Sequence, residues 1–341
     1  MKILIISPTQ EGIGGVARHV QGLSKFLQHH DHEISIISSE NTFTIPIRKL
    51  KNPSFMLSSF LKTKFFKKYD IIHAQNIVSA LAMKNVSGKK VLSLHGIHHK
   101  QVNLLHGNYA GNLAAKYEKF ALDWADAITV SSKEMVDYYT SKGYKVHMIP
   151  NAINIDELPI EQDRRFDKQI IYAARLSKEK GINEVIKICE KLPNDIHLLI
   201  LGDGPERNKV EAISKTRSNV HYLGSKSHTD TISLIRGSDI LIQPSQMEGG
   251  ISYTLMEAMA CRTPIICTNA GGGKEALTHL QNAFLIEPKN ADKLLEAILT
   301  LISNEKQRES LAETAFNSIK KFDWNTIGNS YLKLYTELLN H

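Results

Sequence analysis

Twelve short runs rich in isoleucine, valine and leucine, in two successive sets of six, limit what this chain can become. The first set is KILIIS (2–7), EISIIS (33–38), DIIHA (70–74), VLSLH (91–95), AITVS (127–131) and VHMIP (146–150). The second is QIIYAA (169–174), HLLILG (197–202), VHYLG (220–224), ILIQPS (240–245), PIICT (264–268) and AFLIEP (283–288). Stretches of helical spacing lie between several of them, among them Val16 to Leu27, Asn112 to Trp124, Asn183 to Lys191, Glu206 to Ser214, Thr229 to Gly237 and Thr254 to Met259. A strand that is apolar along its whole length is buried on both faces, and alternation with helices covers both faces of a parallel sheet. The pattern predicts an α/β chain of two doubly wound, Rossmann-like domains. A length of 341 residues suits two such domains better than one. The linker is expected in 151–168, which holds Pro159 and the charged run EQDRR, and the first domain is drawn as residues 1–160.

Composition narrows the setting. The opening MKILIISPT has four apolar residues in a row before Ser7 and Pro8, too few for a secretory-signal core, and reads as a first strand. No run approaches the roughly 20 apolar residues of a membrane span. Cys189, Cys261 and Cys267 have no metal-type spacing and read as small buried residues of a reducing compartment, which favours the cytoplasm. Net charge is +7, but residues 1–150 hold 19 Lys+Arg against 10 Asp+Glu, so the excess lies in the first half. An anionic partner for that half is the implication.

Ligands of doubly wound sheets bind beyond the carboxyl ends of the strands. The chemistry-bearing residues fall there in both halves. Gly12, Gly14 and Gly15 follow the first strand, and His95 ends the fourth. Arg175 and Lys180 follow QIIYAA, Gly202 ends HLLILG, Gly224 ends VHYLG, and Glu248 follows ILIQPS. The segment 244–260, PSQMEGGISYTLMEAMA, is the densest. Glu248 precedes Gly249, Gly250, Ile251 and Ser252, and a helix carrying Glu257 follows. Glycines admit a ligand close to the backbone, and a helix N-terminus offers unpaired N–H groups to an anion. Two acceptor carboxylates beside an anion site suit sugar and ribose hydroxyls. Arg175 and Lys180 can hold adjacent phosphate oxygens, one as a fork and one as a point charge. The plainer readings are a solvated turn for Arg175 and Lys180, an exposed helix residue for Glu257 and a structural strand end for His95. Glu257 lies among Met256, Ala258 and Met259, where a carboxylate needs a hydrogen-bond partner.

Other motifs are weaker. His98, His99 and His106 match no zinc spacing, and no Asp-x-Asp pair occurs to hold a metal. GIGGVA (12–17) formally fits a dinucleotide fingerprint, with Glu40 as the ribose acid, but four residues separate its first glycine from the strand. FMLSSFLKTKFFKKY (55–69) mixes Phe60, Leu61, Phe65 and Phe66 with Lys62, Lys64, Lys67 and Lys68. As one helix, with Arg48, Lys49 and Lys51 nearby, it suits an anionic bilayer; the alternative is a core-facing helix with its lysines outside. No nucleic-acid motif or aromatic stacking platform appears.

In this order the motifs resemble the retaining, family-4 glycosyltransferases of GT-B fold. GGVARHVQGLSKFL is similar to that family's N-terminal glycine loop and helix, and DIIHAQN and LSLHG to its N-domain histidine motifs. IPNAIN resembles its interdomain motif, with Ala152 in place of a glycine. AARLSKEKG, LGDGPE, PSQMEG, LMEAMACRTPIICT and GGGKEAL resemble its C-domain, and FDWNTIGNSYLKLYTELL resembles its terminal helix. The resemblance covers nearly the whole chain. It implies two facing domains, the second at 161–320, with 321–341 as a helix crossing back to the first. It assigns Arg175 and Lys180 to donor phosphates, Glu248 to donor-sugar hydroxyls, Glu257 to ribose, and His95 to the neighbourhood of the reacting sugar. Gly14 and Gly15 match the loop that closes on donor and acceptor, and the segment after Gly224 the base-contacting strand end. Gly12 and His19 fall on the acceptor side, with Lys62, Lys64, Lys67 and Lys68 toward a membrane. One departure concerns the two glutamates: eight residues separate Glu248 from Glu257, one more than in the family, so Glu248 or Gly249 takes the first glutamate's place. Glu248 is preferred, with Gly249 and Gly250 absorbing the extra residue.

The expected activity is transfer of a hexosyl-type group from a UDP- or GDP-sugar to a hydroxyl of a glycan, a lipid-linked acceptor or a small molecule, with retention at the anomeric carbon and no metal or cofactor. The expected role is in polysaccharide or glycolipid synthesis, in the cytoplasm or on the inner membrane face. The alternatives are a nucleotide-sugar epimerase, a nicotinamide-dependent dehydrogenase and a non-catalytic subunit that binds the sugar nucleotide.

Overall fold

The computed structural model describes residues 1–12, 14–47, 50–97, 108–270, 273 and 275–340, with the main chain alone at 108–110. His98, His99, His106, Arg48 and Lys49 lie outside the described residues. The chain divides into two compact units. One is Met1–Ala152 together with Trp324–His341, and the other is Ile153–Asp323. The first boundary thus falls eight residues before the expected Ile160, and the chain returns to the first unit at Trp324.

The first unit is a six-stranded parallel sheet in the order β2-β1-β3-β4-β5-β6. Its strands are β1 (Lys2–Ile6), β2 (Glu33–Ile37), β3 (Ile71–Gln75), β4 (Lys89–Leu94), β5 (Ala127–Val130) and β6 (Val146–Met148). Its helices are α1 (Gly15–His29), α2 (Lys51–Thr63), α3 (Ala80–Met83), α4 (Asn108–Asp123) and α5 (Lys133–Thr140). The central strands are buried on both faces, as their unbroken apolar runs require. One face packs Phe55, Met83, Leu122 and Tyr139. The other packs Val20, Leu23 and Leu27 of α1 with Trp324, Ile327, Tyr331 and Tyr335.

The second unit repeats the plan in the order β12-β11-β10-β7-β8-β9, all parallel. Its strands are β7 (Gln169–Ala173), β8 (His197–Leu201), β9 (Val220–Gly224), β10 (Ile240–Gln243), β11 (Ile265–Thr268) and β12 (Phe284–Ile286). Around them lie α6 (Ile182–Lys191), α7 (Arg207–Thr216), α8 (His228–Arg236), α9 (Tyr253–Ala260), α10 (Ala291–Ile302) and α11 (Glu305–Ile319). Both units are therefore doubly wound, as the strand pattern predicts.

The last helix, α12 (Trp324–Asn340), belongs to the first unit and packs on α1. Two glycines let the helices meet. A Cβ on Gly22 would stand 2.1 Å from the Trp324 indole nitrogen, and one on Gly328 would stand 2.4 Å from the Phe26 ring.

The basic segment departs from expectation. α2 ends at Thr63, so Lys64 to Tyr69 do not continue it as one amphipathic helix. Phe66 turns in against the core beside buried Tyr69, which ends the helical register. Lys62 is not free to face a bilayer either: its ammonium donates to the Asn41 carbonyl at 2.7 Å. Lys64, Lys67 and Lys68 are exposed, with Lys64 5.3 Å from the centre of the Phe60 ring. Among the described residues no helix is long and apolar enough to cross a membrane. All three cysteines are buried and unpaired, and burial pushes the Cys261 thiol up to about 11 and those of Cys189 and Cys267 to about 12.

Candidate functional site

In the second unit the chain runs from central β7 outward to β8 and β9, then returns to the other flank of β7 as β10. Loops leaving β7 and β10 part in opposite directions there, and such a reversal opens a crevice at the carboxyl ends of the strands. Lys180 comes from the loop after β7 and Glu248 from the loop after β10. Lys180 Nζ donates to Glu248 Oε1 at 2.6 Å, with side-chain exposures of 27% and 12%. A carboxylate so enclosed depends on its partners. Its second partner is Gln243, the last residue of β10 and 4% exposed. The Gln243 amide donates to the same Glu248 oxygen at 3.2 Å and to Ser252 Oγ at 2.9 Å. Ser252 in turn accepts the Leu255 N–H and caps α9.

The placement bears on the extra residue between the two glutamates. Glu248 meets the lysine, and neither Gly249 nor Gly250 adopts left-handed backbone. Ile251 differs from expectation in one respect: its side chain lies in the hydrophobic core, so only its main chain is left to meet a ligand.

Arg175 is exposed, and its guanidinium has no hydrogen bond or ion pair among the described residues. The loop between it and Lys180 is pinned from beneath, where the buried Tyr172 hydroxyl donates to the carbonyls of Lys180 at 3.1 Å and Arg175 at 3.3 Å. Gly202 closes β8 at φ +123, and a Cβ there would stand 2.0 Å from the Ala174 carbonyl oxygen, so only glycine lets these two strand ends lie together. Gly224 ends β9 at φ +69 with open space around it. Glu257, 2% exposed on α9, accepts from His228 Nε2 at 3.0 Å. His228 opens α8, four residues after Gly224, and nothing local in the sequence marks it as that partner.

In the first unit, Gly12 stands at φ +104 in the loop after β1, and Gly14 is the N-cap of α1 with no side-chain cap. Eight residues separate β1 from α1, too long a connection for the tight turn of a dinucleotide fingerprint. Glu40 is engaged in holding that loop, accepting from Gln10 N at 3.2 Å and Thr9 Oγ1 at 3.3 Å. His95 is half-buried just beyond β4. Its Nε2 lies 2.8 Å from Gln75 Oε1, and its main-chain N–H donates to Asn76 Oδ1 at 3.2 Å. His19 does not line an open acceptor side. It is 1% exposed on α1, packed edge-on against His95 and close to Trp324 and Tyr331.

Burial keeps these histidines neutral. It lowers His95 to about 4 and, with the His95 ring adding, His73 to about 3; His19 lies well below the ordinary value for the same reasons. Among the described residues no group of three or more His, Cys, Asp or Glu is placed to hold a metal ion.

Comparison with known proteins assigns a family to this arrangement. The profile described as Glycosyltransferase Family 4 matches residues 13–157, and that of Glycosyl transferases group 1 matches residues 156–318. An uncharacterized glycosyltransferase of Methanocaldococcus jannaschii is 28% identical over 99% of both chains. An N,N'-diacetylbacillosaminyl-diphospho-undecaprenol alpha-1,3-N-acetylgalactosaminyltransferase of Campylobacter jejuni is 28% identical over 70% of this chain and 60% of its own. Among solved structures, Anabaena HepE in complex with UDP-glucose superposes with a TM-score of 0.76 at 18% identity, over 99% of this chain and 100% of its own. The two profiles together run from residue 13 to residue 318, and the chain belongs to the glycosyltransferases of GT-B fold, its N-terminal half of family 4 and its C-terminal half of group 1.

Proposed function

We propose that this glycosyltransferase moves a hexosyl group from a UDP- or GDP-sugar to a hydroxyl acceptor, with retention and without a metal ion. The observation that carries the reading is the Lys180–Glu248 pair at the winding reversal, with the uncommitted Arg175 guanidinium in the same loop. Lys180 and Glu248 neutralise each other. A diphosphate competes with the carboxylate for Lys180, and the freed carboxylate accepts from sugar hydroxyls. As the glycosidic bond breaks, charge builds on the leaving phosphate, and Lys180 and Arg175 stabilise it electrostatically. That phosphate takes the proton of the acceptor hydroxyl on the face it leaves, which retains the anomeric configuration. Glu257, held by His228, accepts from the ribose. HepE holding UDP-glucose supports a donor of this class. NMR of the product tests retention: an inverted anomeric centre refutes the mechanism, and loss of turnover on chelation refutes metal independence.

The acceptor we propose is lipid-linked, at an anionic inner-membrane face, in glycan synthesis. The Campylobacter relative, named for a diphospho-undecaprenol acceptor, supports this. So do the exposed apolar side chains of residues 43–65: Phe43 (75%), Ile47, Leu50, Leu57, Leu61 and Phe65 (88%). Leu57 and Leu61 are a helical turn apart on α2, and Lys64, Lys67 and Lys68 stand beside them in sequence. Co-sedimentation should require anionic vesicles and fade with salt. Equal binding to neutral vesicles refutes the electrostatic part, and no binding refutes the membrane.

A further inference from the structure

A polar row crosses the middle of the first unit's sheet. Gln75 on β3 pairs in register with Ser93 on β4, and Ser93 with Thr129 on β5. His73 lies two residues before Gln75 and so shares its face. All four are at most 2% exposed, where parallel strands ordinarily carry Val, Ile or Leu. Burying polar groups this deeply is costly unless they bond to one another. Tyr335 of α12 lies 2.6 Å from His73 Nδ1, and Ser93 Oγ lies 2.6 Å from His73 Nε2. Thr129 Oγ1 meets Ser93 Oγ at 2.5 Å. Gln75 Nε2 stands 3.2 Å from His73 Nε2, and its other amide atom, Oε1, stands 2.8 Å from His95 Nε2.

The chain of contacts ends on a ring whose protonation it can decide. An amide oxygen only accepts, so the contact with Gln75 Oε1 places the neutral His95 proton on Nε2 and leaves Nδ1 as the ring's acceptor. The next residue fixes the other end of His95. Asn76 sits at φ 63 and ψ 163, a region that strains a non-glycine residue, and from there accepts the His95 N–H. The stretch His73-Ala74-Gln75-Asn76 thus holds His95 by ring and by backbone. The titratable groups around the ring are His19 of α1 and His73 of β3, with Tyr331 and Tyr335 of α12 behind them.

We propose that Gln75 is a positioning residue that holds His95 as the Nε2–H tautomer, so that the ring meets the reactants as a hydrogen-bond acceptor through Nδ1. Tyr335 anchors the chain through His73. In this state His95 cannot protonate a leaving group, since its one proton is committed to Gln75. It can accept from a sugar or acceptor hydroxyl and orient it. That His95 stands near the reacting sugar is what the family resemblance implies, and the kinetic part of the proposal rests on it; the tautomer is independent of it.

Nitrogen-15 NMR of histidine-labelled protein, with His95 assigned by its loss in His95→Asn, reads the tautomer directly in the wild-type chain. A proton on Nε2 with bare Nδ1 is the expected result, and a proton on Nδ1 overturns the proposal. Kinetics test the consequence. Gln75→Glu sets a carboxylate on Nε2, which favours the charged ring and removes the Nδ1 acceptor. Turnover should fall on the order of tenfold at neutral pH, with donor KM little changed, and recover as the pH is raised. Gln75→Leu should lose turnover without that pH-dependent recovery. Wild-type turnover and pH profile in both variants overturn the positioning role, provided His95→Asn is impaired. Wild-type turnover in His95→Asn instead overturns the placement of His95 near the reaction, and with it the kinetic part of the proposal.

Discussion

Acidification should destabilise the first unit, by an amount that follows from its buried histidines. His73 and His95 are held at about 3 and about 4, chiefly by burial, against an ordinary value of about 6.5. For a group depressed in this way the unfolded chain binds the proton first. Stability is full above about pH 6.5 and is lost as the pH falls toward the folded values. Between pH 7.5 and 5.0 each of the two contributes a loss of about 2 kcal/mol, about 4 kcal/mol together. His19 shifts in the same direction and adds to it. Domains are stable by roughly 5–15 kcal/mol, so the loss is a large share of the total. The molecule supplies its own reporter. Both tryptophans, Trp124 and Trp324, lie in the first unit, so tryptophan fluorescence follows that unit alone. Urea unfolding at pH 7.5, 6.0 and 5.0 measures the slope while most carboxylates stay ionised. A first-unit stability flat to within about 1 kcal/mol over this range would refute the neutral histidine cluster.

Three further outcomes follow from the second unit. Lys180→Ala should cut turnover by about two to three orders of magnitude with unfolding still cooperative, though at a lowered midpoint because Glu248 loses its cation; near-normal turnover removes Lys180 from the mechanism. Gly202→Ala should cost about 3 kcal/mol or more, because its Cβ meets the Ala174 carbonyl oxygen at a left-handed φ. Circular dichroism should show a lowered melting point, and an unchanged one contradicts the close approach. His228→Ala should weaken nucleoside-diphosphate binding about tenfold by calorimetry, through the loss of one hydrogen bond to a buried carboxylate; unchanged affinity means that Glu257 is held without it.

The strands were legible because each is a short unbroken run of β-branched and aliphatic residues, and burial on both faces allows little else. Arg175, Lys180 and Glu248 were legible as candidates because they lie in the loops that leave β7 and β10. What joins them was not. Gln243 reads as one more residue of ILIQPS until β10 sets its amide between Glu248 and Ser252. His228 pairs with Glu257 across 29 residues, a contact that only the packing of α8 and α9 creates. GIGGVA could be discounted from the sequence because Pro8 to Glu11 separate it from the first strand, and the eight-residue connection from β1 to α1 agrees. The basic segment misled because spacing shows which residues can share a helix face, not that Phe66 leaves the helix to reach the core. One signal was present and unread. His73, Gln75, Ser93 and Thr129 each interrupt an otherwise apolar strand, and such interruptions in three neighbouring strands are too costly to be packing alone.

The return of α12 to the first unit also sets a timetable. A ribosome delivers Trp324, Tyr331 and Tyr335 only after the whole second sheet has been made. Until then α1 has no helix to lie against, and the hydroxyl that closes the row beneath His95 has not been synthesised. The half of the molecule that emerges first is therefore the half that matures last, and a nascent chain released after β12 but before Trp324 would carry all six strands of the second sheet and an N-terminal unit still without its closing helix.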